Sequence, residues 1–206
     1  ITDASQALQG KTAGVQLSGS AGPGGQATVR IRGVGSNGAS DPLYVIDGRI
    51  AKSIRGIDPN DIESMEVLKD GASAAIYGAS AGNGVILITT KKGKGAGQIK
   101  YDMQITRQSI ARTPELMDSE EFINYYVKES NIIAQSVIDQ NWDGKTSTNW
   151  IDELFETSMM QRHNVTFSAG SDKGSIYLSG SYLDNNGTVK GNQDTFRRLT
   201  GMINAT

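Results

Sequence analysis

Residues 30–48 read RIRGVGSNGASDPLYVIDG. A complete G-x-G-x-x-G, formed by Gly33, Gly35 and Gly38, follows a strand-like run, the order expected of a dinucleotide-binding turn. That fingerprint needs its third glycine inside a helix whose N-terminal N–H groups meet the pyrophosphate. Here Gly38 is followed by Ala39, Ser40, Asp41 and Pro42, and a new apolar run starts at Leu43. About four residues separate the runs, whereas a parallel crossover takes roughly 10–12. Pro42 also pushes Asp41 out of the helical region. Asp47 arrives too early for the acidic residue expected about 20 positions on, and no G-x-x-x-x-G-K-[ST] phosphate loop occurs. The stretch reads as a loop between two strands. A nucleotide-dependent enzyme is the alternative that the three glycines alone would favour.

The rest of the composition points the same way. The 206 residues could form one large domain or two small ones. Twenty basic side chains nearly cancel 22 acidic ones, which gives no case for nucleic-acid binding. Cysteine is absent, so disulfides, thiolate metal sites and a cysteine nucleophile are excluded. His163 is the only histidine, so a His-rich metal site is excluded too. Carboxylate pairs such as Asp58/Asp61 and Glu120/Glu121 sit where helix starts and turns want acids. No nucleophile, base and orienting acid can be assembled, so neither an enzyme nor a cofactor is expected. No apolar run approaches the length of a membrane helix, which leaves β-barrel strands open. The start at Ile1, without initiator Met or leader, suggests a processed product or an excised piece.

Two grammars divide the chain. Up to about Gly97 it is glycine-rich, with short elements and tight turns. ATVRIR alternates, putting Val29 and Ile31 on one side and Thr28, Arg30 and Arg32 on the other. PLYVIDG and GVILITT are short continuous apolar runs, as expected of strands covered on both faces. Between them a strand is predicted over 62–68, then a short alanine-rich helix capped by Asp70 and ended by Gly78. A similar helix is predicted near DASQALQGK, opened by Thr2 or Asp3 and stopped by Gly10. KKGKGAGQ, residues 91–98, is a linker by composition.

Beyond it the pattern is strictly period two. In GQIKYDMQIT, Ile99, Tyr101, Met103 and Ile105 oppose Lys100, Asp102, Gln104 and Thr106. Three further stretches alternate: HNVTFSAG, with His163 opening the strand, SIYLSGSYL and RRLTGMINAT, where Met202 breaks the polar face. The first connection is about 50 residues long and contains a predicted helix, SEEFINYYVKE, with Ser119 as N-cap and Phe122, Tyr125 and Tyr126 as its apolar face. The second is a tight turn at GSDKGS, and the third is a longer loop beginning DNNGTVKGN. A half-buried sheet in a soluble protein would alternate in the same way; alternating short turns and long loops adds an outer-membrane barrel as the second reading. Charge divides unevenly, about +2 before Gly97 and about −4 beyond it, which solvated loops explain adequately.

Read in order, LQGKTAGVQLSGSAGPGGQATVRIRGVGSNGASDPLYVIDG and then IDPNDIESMEVLKDGASAAIYGASAGNGVILITTKKG closely resemble the plug domain of SusC/RagA-type TonB-dependent outer-membrane transporters. The resemblance covers nearly all of residues 7–95. NWIDELFETSMMQRHNVTFSAGSDKGSIYLSGSYLDNNGTVKG is similar, more loosely, to the family's opening barrel strands. What this implies is an α+β chain. Residues 1–96 would be a plug with a small mixed sheet, short helices and no extreme N-terminus. Residues 97–206 would be the first antiparallel strands of a transmembrane barrel of about 22 strands, with a helix-containing loop at about 110–160, outward-facing over Thr113 to Asn149.

The resemblance further implies a plug or gate in a nutrient importer of the Gram-negative outer membrane, one for oligosaccharides (glycans). Its partners would be a SusD-like surface lipoprotein that captures oligosaccharides or peptides and the TonB complex, which pulls on a segment N-terminal to the plug. A siderophore or vitamin importer of the broader class is the alternative within transport. Arg30 and Arg32 are expected at the barrel wall or polar plug surroundings, with a solvent-facing role equally open. Gly33, Asp47, Gly48, Lys69, Asp70, Tyr77, Gly78, Asn83 and Gly84 complete the plug-motif and gating candidates. One departure is ASAGNG, Ala79 to Gly84, where the family often has S-R-G-A-N-G, so no role of that arginine carries over. Four strands are too few to close a barrel, and the isolated chain is expected to be a soluble piece that cannot transport by itself.

Overall fold

The computed structural model describes residues 4–8, 14–19, 22–25, 27–31, 33, 40–71, 75–191 and 193–206. Strands β1 (Val15–Ser18), β2 (Thr28–Ile31), β3 (Leu43–Ile46), β4 (Arg49–Ala51), β5 (Ile62–Leu68) and β6 (Val85–Thr90) build a core unit. Strands β7 (Gln98–Gln108), β8 (Ser158–Ser171), β9 (Gly174–Asn185) and β10 (Phe196–Ala205) build a wall.

The core is a mixed sheet of order β4-β3-β6-β5. β3 runs parallel to β6, Leu43 opposite Val85 and Ile46 opposite Ile88, while β4 and β5 are antiparallel to their neighbours. Continuous apolar runs suit the two central strands because both faces are covered. On one face Ile86 and Ile88 pack with Ala4, Leu8, Val29, Ile31 and Ile54. On the other, Val45 and Val85 pack with Ala81 beneath Tyr77 and Leu43. β1 and β2 form a separate antiparallel pair whose Val29 and Ile31 point into that core, as their alternation predicts.

Asp47 and Gly48 turn β3 into β4 with φ of +47° and +80°. Positive φ at both central residues is the primed hairpin turn that matches strand twist, and Asp-Gly is a preferred pair for it. At Gly84, φ is +93°, and an added Cβ would lie 2.7 Å from Cδ1 of Ile31. Glycine there lets the chain enter β6 while Ile31 fills the space above it.

The described parts of the two predicted helices are short, and Gly71, directly after Asp70, is α-helical. Ala4–Leu8, Ala75–Tyr77 and Ala79–Ala81 are 3₁₀ segments, and Gly78 separates the last two with φ of +75°. With so few residues per segment, packing onto the sheet decides the geometry, and tight 3₁₀ turns suffice. Thr2, Asp3, Gly10 and residues 72–74, where Asp70 was to cap a helix, lie outside the described residues. So do Arg32, Gly35 and Gly38. Residues 40–42 are irregular and lead straight into β3.

The wall is an antiparallel meander of order β10-β9-β8-β7. Its register sets Ile99, Phe167, Leu178 and Ile203 side by side, and above them Met103, His163, Tyr182 and Leu199. These side chains share the face turned away from the core; Leu199 is 81% exposed. The opposite face carries Arg162, Asn164, Tyr177, Ser179, Ser181 and Asn204. β8 starts at Ser158, five residues before the predicted start at His163. Ser158, Met160 and Arg162 extend the inward face, all three buried, and a polar-apolar-polar run of that kind obscures the alternation.

Asp172 and Lys173 close β8 onto β9, while residues 109–157 and 186–195 connect at the other end. In the longer connection the helix Ser119–Ile123 is capped by Asp118, not by Ser119. Asp118 accepts from the Glu121 N–H at 2.8 Å, and Glu121 accepts in return from the Asp118 N–H at 3.1 Å. A carboxylate with its box partner three residues on outcompetes the hydroxyl; Ser119 Oγ instead donates to the Thr146 carbonyl. The helix runs into a π turn, Asn124–Glu129, so Ile123 and Val127 are the buried residues, while Phe122 and Tyr125 stay exposed and meet the Tyr126 ring, Phe122 tilted and Tyr125 edge-on. Two further helices, Gln135–Asn141 and Trp150–Leu154, complete the loop.

Candidate functional site

The core meets the inner face of the wall through side chains that the local fold aims there. Asp58 N-caps the one-turn 3₁₀ helix Pro59–Asp61 by accepting from the Asn60 N–H at 2.9 Å. Residues three apart eclipse each other in a 3₁₀ turn. Asp58 and Asp61 therefore project together toward β9. There Tyr177, Ser179 and Ser181, two apart on a strand, share one face. Ser181 Oγ donates to Asp58 Oδ2 at 2.6 Å, Ser179 Oγ to Asp61 Oδ2 at 2.6 Å, and Tyr177 OH to Asp61 Oδ1 at 3.0 Å. Asp58 and Asp61 are 1% and 2% exposed, among the most buried polar groups of the chain. Burial pushes the Asp61 carboxyl above the usual range, opposed by the hydroxyls of Ser179 and Tyr177.

A second contact runs through the hairpin turn. Asp47 accepts from the Thr90 N–H at 2.9 Å and from Thr90 Oγ1 at 2.6 Å. Thr90 Oγ1 in turn accepts from Asn204 Nδ2 of β10 at 3.0 Å. The third contact is the linker. Lys94 donates its N–H to Ser168 Oγ at 3.0 Å and pairs through Nζ with Glu63, holding the Glu63 carboxyl below its ordinary range. Gly95 accepts from the Gly170 N–H at 2.8 Å. A Cβ at Gly93 would land on the backbone carbonyls of Ala169 and Ile176.

Between these contacts lies a cavity of about 320 Å³ lined in part by Lys91, Lys100, Asp102 and Asn164. Asn164 is 0% exposed, and neither of its amide atoms has a hydrogen-bond partner. The junction is thus polar and partly open rather than a close-packed apolar seam.

The sequence-derived candidates distribute unevenly over this site. Asp47 and Gly48 belong to it through Thr90. Asn83 Nδ2 donates to the Asp41 carbonyl at 3.4 Å and, with Gly84, shapes the entry to β6. Tyr77 packs on the second face of the sheet, Gly78 follows it with φ of +75°, and Lys69 and Asp70 follow the end of β5. Arg30 is exposed on the outer side of β2 opposite Gln16, and Gly33 has φ of +83° in open space. Asp58, Asp61, Thr90, Asn204 and the β9 hydroxyls were not singled out as site residues. The signal was available in part: two acids three apart, and a serine-rich polar face two apart.

A small mixed-sheet core seated by polar contacts on a four-stranded meander whose outer face is apolar and exposed is the arrangement of a plug against part of an outer-membrane barrel wall. Comparison with known proteins gives the same class. The family model described as TonB-dependent Receptor Plug Domain matches residues 1–85. TonB-dependent receptor P3 of Formosa agariphila is 40% identical over 190 residues, covering 90% of this chain and 18% of that protein. TonB-dependent receptor SusC of Bacteroides thetaiotaomicron is 36% identical over 216 residues, covering 98% of this chain and 21% of that protein. The structure of the RagAB peptide transporter superposes with a TM-score of 0.85 at 32% identity, covering all of this chain and 27% of that one. The chain belongs to the SusC/RagA type of TonB-dependent transporters. It spans about a fifth of the length of the curated relatives it matches.

Proposed function

We propose that this chain is the gate of an outer-membrane importer for oligosaccharides, with residues 1–96 as the plug and 97–206 as the first part of the barrel. A SusD-like surface lipoprotein delivers the solute, and the TonB complex supplies the pull through a segment preceding the plug. Arg30, exposed on β2, then meets wall strands beyond β10, and Lys69, Asp70 and Asn83 act as motif residues that shape the plug. The observation that carries the gate is the pair Asp58/Asp61 on Ser179, Ser181 and Tyr177. Each hydroxyl–carboxylate bond can be exchanged for bonds to water, so its net cost of release is only about 0.5–3 kcal/mol. An apolar seam of equal area would resist release far more.

Cysteines at Asp61→Cys and Ser179→Cys in the full-length transporter test the gate. Joining them with a short bifunctional maleimide should stop uptake of labelled oligosaccharide relative to the same double-cysteine protein left uncrosslinked. Full uptake by completely crosslinked protein would rule out a moving plug. The similarity to a peptide transporter supports a second reading for the solute, oligopeptides. Growth of a deletion strain on neutral oligosaccharides against growth on oligopeptides separates the two.

A further inference from the structure

The donors that hold Asp58 and Asp61 on β9 have counterparts on β8. Directly opposite Ser181 stands Asn164, and directly opposite Ser179 stands Thr166. Directly opposed residues of an antiparallel pair share a face, so both belong to the inner face of the wall. The counterpart of Tyr177 is Ser168, which the linker occupies through Lys94. One strand over, about 4.8 Å away, β8 therefore repeats the two serine donors of the latch in the same order and spacing.

This second ladder is unused and has room above it. Asn164 is 0% exposed, and among the described residues neither Nδ2 nor Oδ1 has a partner. Native structures rarely keep such a costly arrangement without a reason. The cavity of about 320 Å³ lies over β7 and β8, with Asn60, beside Asp61 in the same 3₁₀ turn, on its plug side and Thr166 on its wall side. Charge favours the same direction. Arg162, the next inward residue of β8, lies opposite the apolar Leu183 of β9 and within Coulomb reach of Asp58. Travel beyond β8 is opposed, because the neighbour of Asn164 on β7 is Asp102, whose carboxylate is already paired with Lys100 at 2.8 Å. The linker is fastened to β8 through Ser168 and Gly170, so it need not detach. The bonds from Asn204 to Thr90 and Lys91 would open.

We propose that β8 is a second seat for the plug's two carboxylates. On release from β9 the plug steps one strand sideways, so that Asp58 accepts from Asn164 Nδ2 and Asp61 from Thr166 Oγ1. Ser181, freed of Asp58, donates to Asn164 Oδ1, and both orphan atoms of the amide gain a partner. The step thus exchanges hydrogen bonds instead of only losing them. It rests on the gate reading above, and adds where the latch goes when it leaves β9.

The test is disulfide formation in the intact, detergent-purified transporter carrying Asn60→Cys on the plug and Gln104→Cys on β7, two positions that line the same cavity. The step narrows that cavity and brings the thiols together, with Asp58 and Asp61 unaltered. Under copper–phenanthroline the bond should form faster in Ser181→Ala, whose first seat is weakened. Adding Asn164→Leu should slow it about tenfold, the scale of one hydrogen bond to a carboxylate. Asn164→Leu by itself should keep or raise the Tm, because it removes no hydrogen bond of the resting plug. A lowered Tm would make Asn164 a structural residue of the resting state and overturn its role in the step. Heat-modifiable migration on gels reports that each variant barrel is folded, and the isosteric Thr166→Val keeps the test decisive if Asn164→Leu misfolds. Equal disulfide rates in all folded variants would overturn the second seat and leave the gate standing. Full uptake by the protein crosslinked between Asp61→Cys and Ser179→Cys would overturn both.

Discussion

Ser179 Oγ donates to Asp61 Oδ2 at 2.6 Å, joining two residues 118 positions apart in the chain. With Ser181 on Asp58, this bond fixes where the plug sits along β9, because a slide of the plug along the strand would carry both carboxylates away from their hydroxyl donors.

Removing the carboxylate should loosen that seat. Asp61→Ala leaves the Ser179 and Tyr177 hydroxyls without their acceptor and should destabilise plug docking by about 1–3 kcal/mol. Asp61→Asn keeps one acceptor and should cost less. Leak conductance of the full-length protein in planar bilayers reads the difference; equal leak for wild type and Asp61→Ala would remove the latch from the mechanism.

The same carboxyl makes a pH prediction. Burial, only partly offset by Ser179 and Tyr177, raises the folded pKa of Asp61 above its ordinary 3.8. The folded state therefore takes up this proton more readily. Its contribution is complete below the unfolded value and is lost as pH rises through the raised folded value. Glu63 runs the other way: Lys94 lowers its pKa, so its contribution is present above the unfolded value and lost as pH falls through the lowered one. In a Glu63→Gln background, the Tm of the parent relative to its Asp61→Asn derivative should rise between about pH 7 and about pH 4. A flat or falling difference would contradict the buried, desolvated carboxyl.

The linker should tolerate a methyl group at one glycine and not at another. At Gly93 a Cβ meets backbone carbonyls of the β8–β9 hairpin, which cannot swing aside. Gly93→Ala should cost about 1–3 kcal/mol by overpacking. At Gly97 the added atom would sit 3.5 Å from the Phe167 ring, an ordinary contact, and Gly97→Ala should be nearly silent. Protease sensitivity of residues 91–97 distinguishes them.

The two faces of the wall should respond oppositely to charge. Leu199→Arg places a cation on the apolar outer face, where lipid contact costs up to about 2–4 kcal/mol at the bilayer midplane. Gln104→Arg places it among the polar groups beside the inner cavity. Folded protein recovered from outer membranes should fall sharply for the first and little for the second.

Much of this was legible in the residues. Local periodicity is a property of neighbours, so Val29 and Ile31, the runs at 43–46 and 85–90, and the alternation from Gln98 onward declared their faces without help. The Asp-Gly turn at Asp47 declared itself for the same reason. Short alanine-rich segments were less legible, since four or five residues give packing, not propensity, the last word on helix type. At the helix of the long loop, Ser119 is the cap expected from the residues, and the reciprocal bonds between Asp118 and Glu121 make Asp118 the cap instead.

What tertiary structure alone decided is the pairing across the interface. Asp58 capping its turn looked complete as local chemistry, and the serines of β9 looked like an ordinary polar face. Their meeting depends on the plug being seated against the wall, and no window of sequence spans the separation between them. Sequence therefore determined which surfaces are polar and which apolar; the fold determined which polar surface faces which, because burial and partnership are properties of position in space and not of order along the chain.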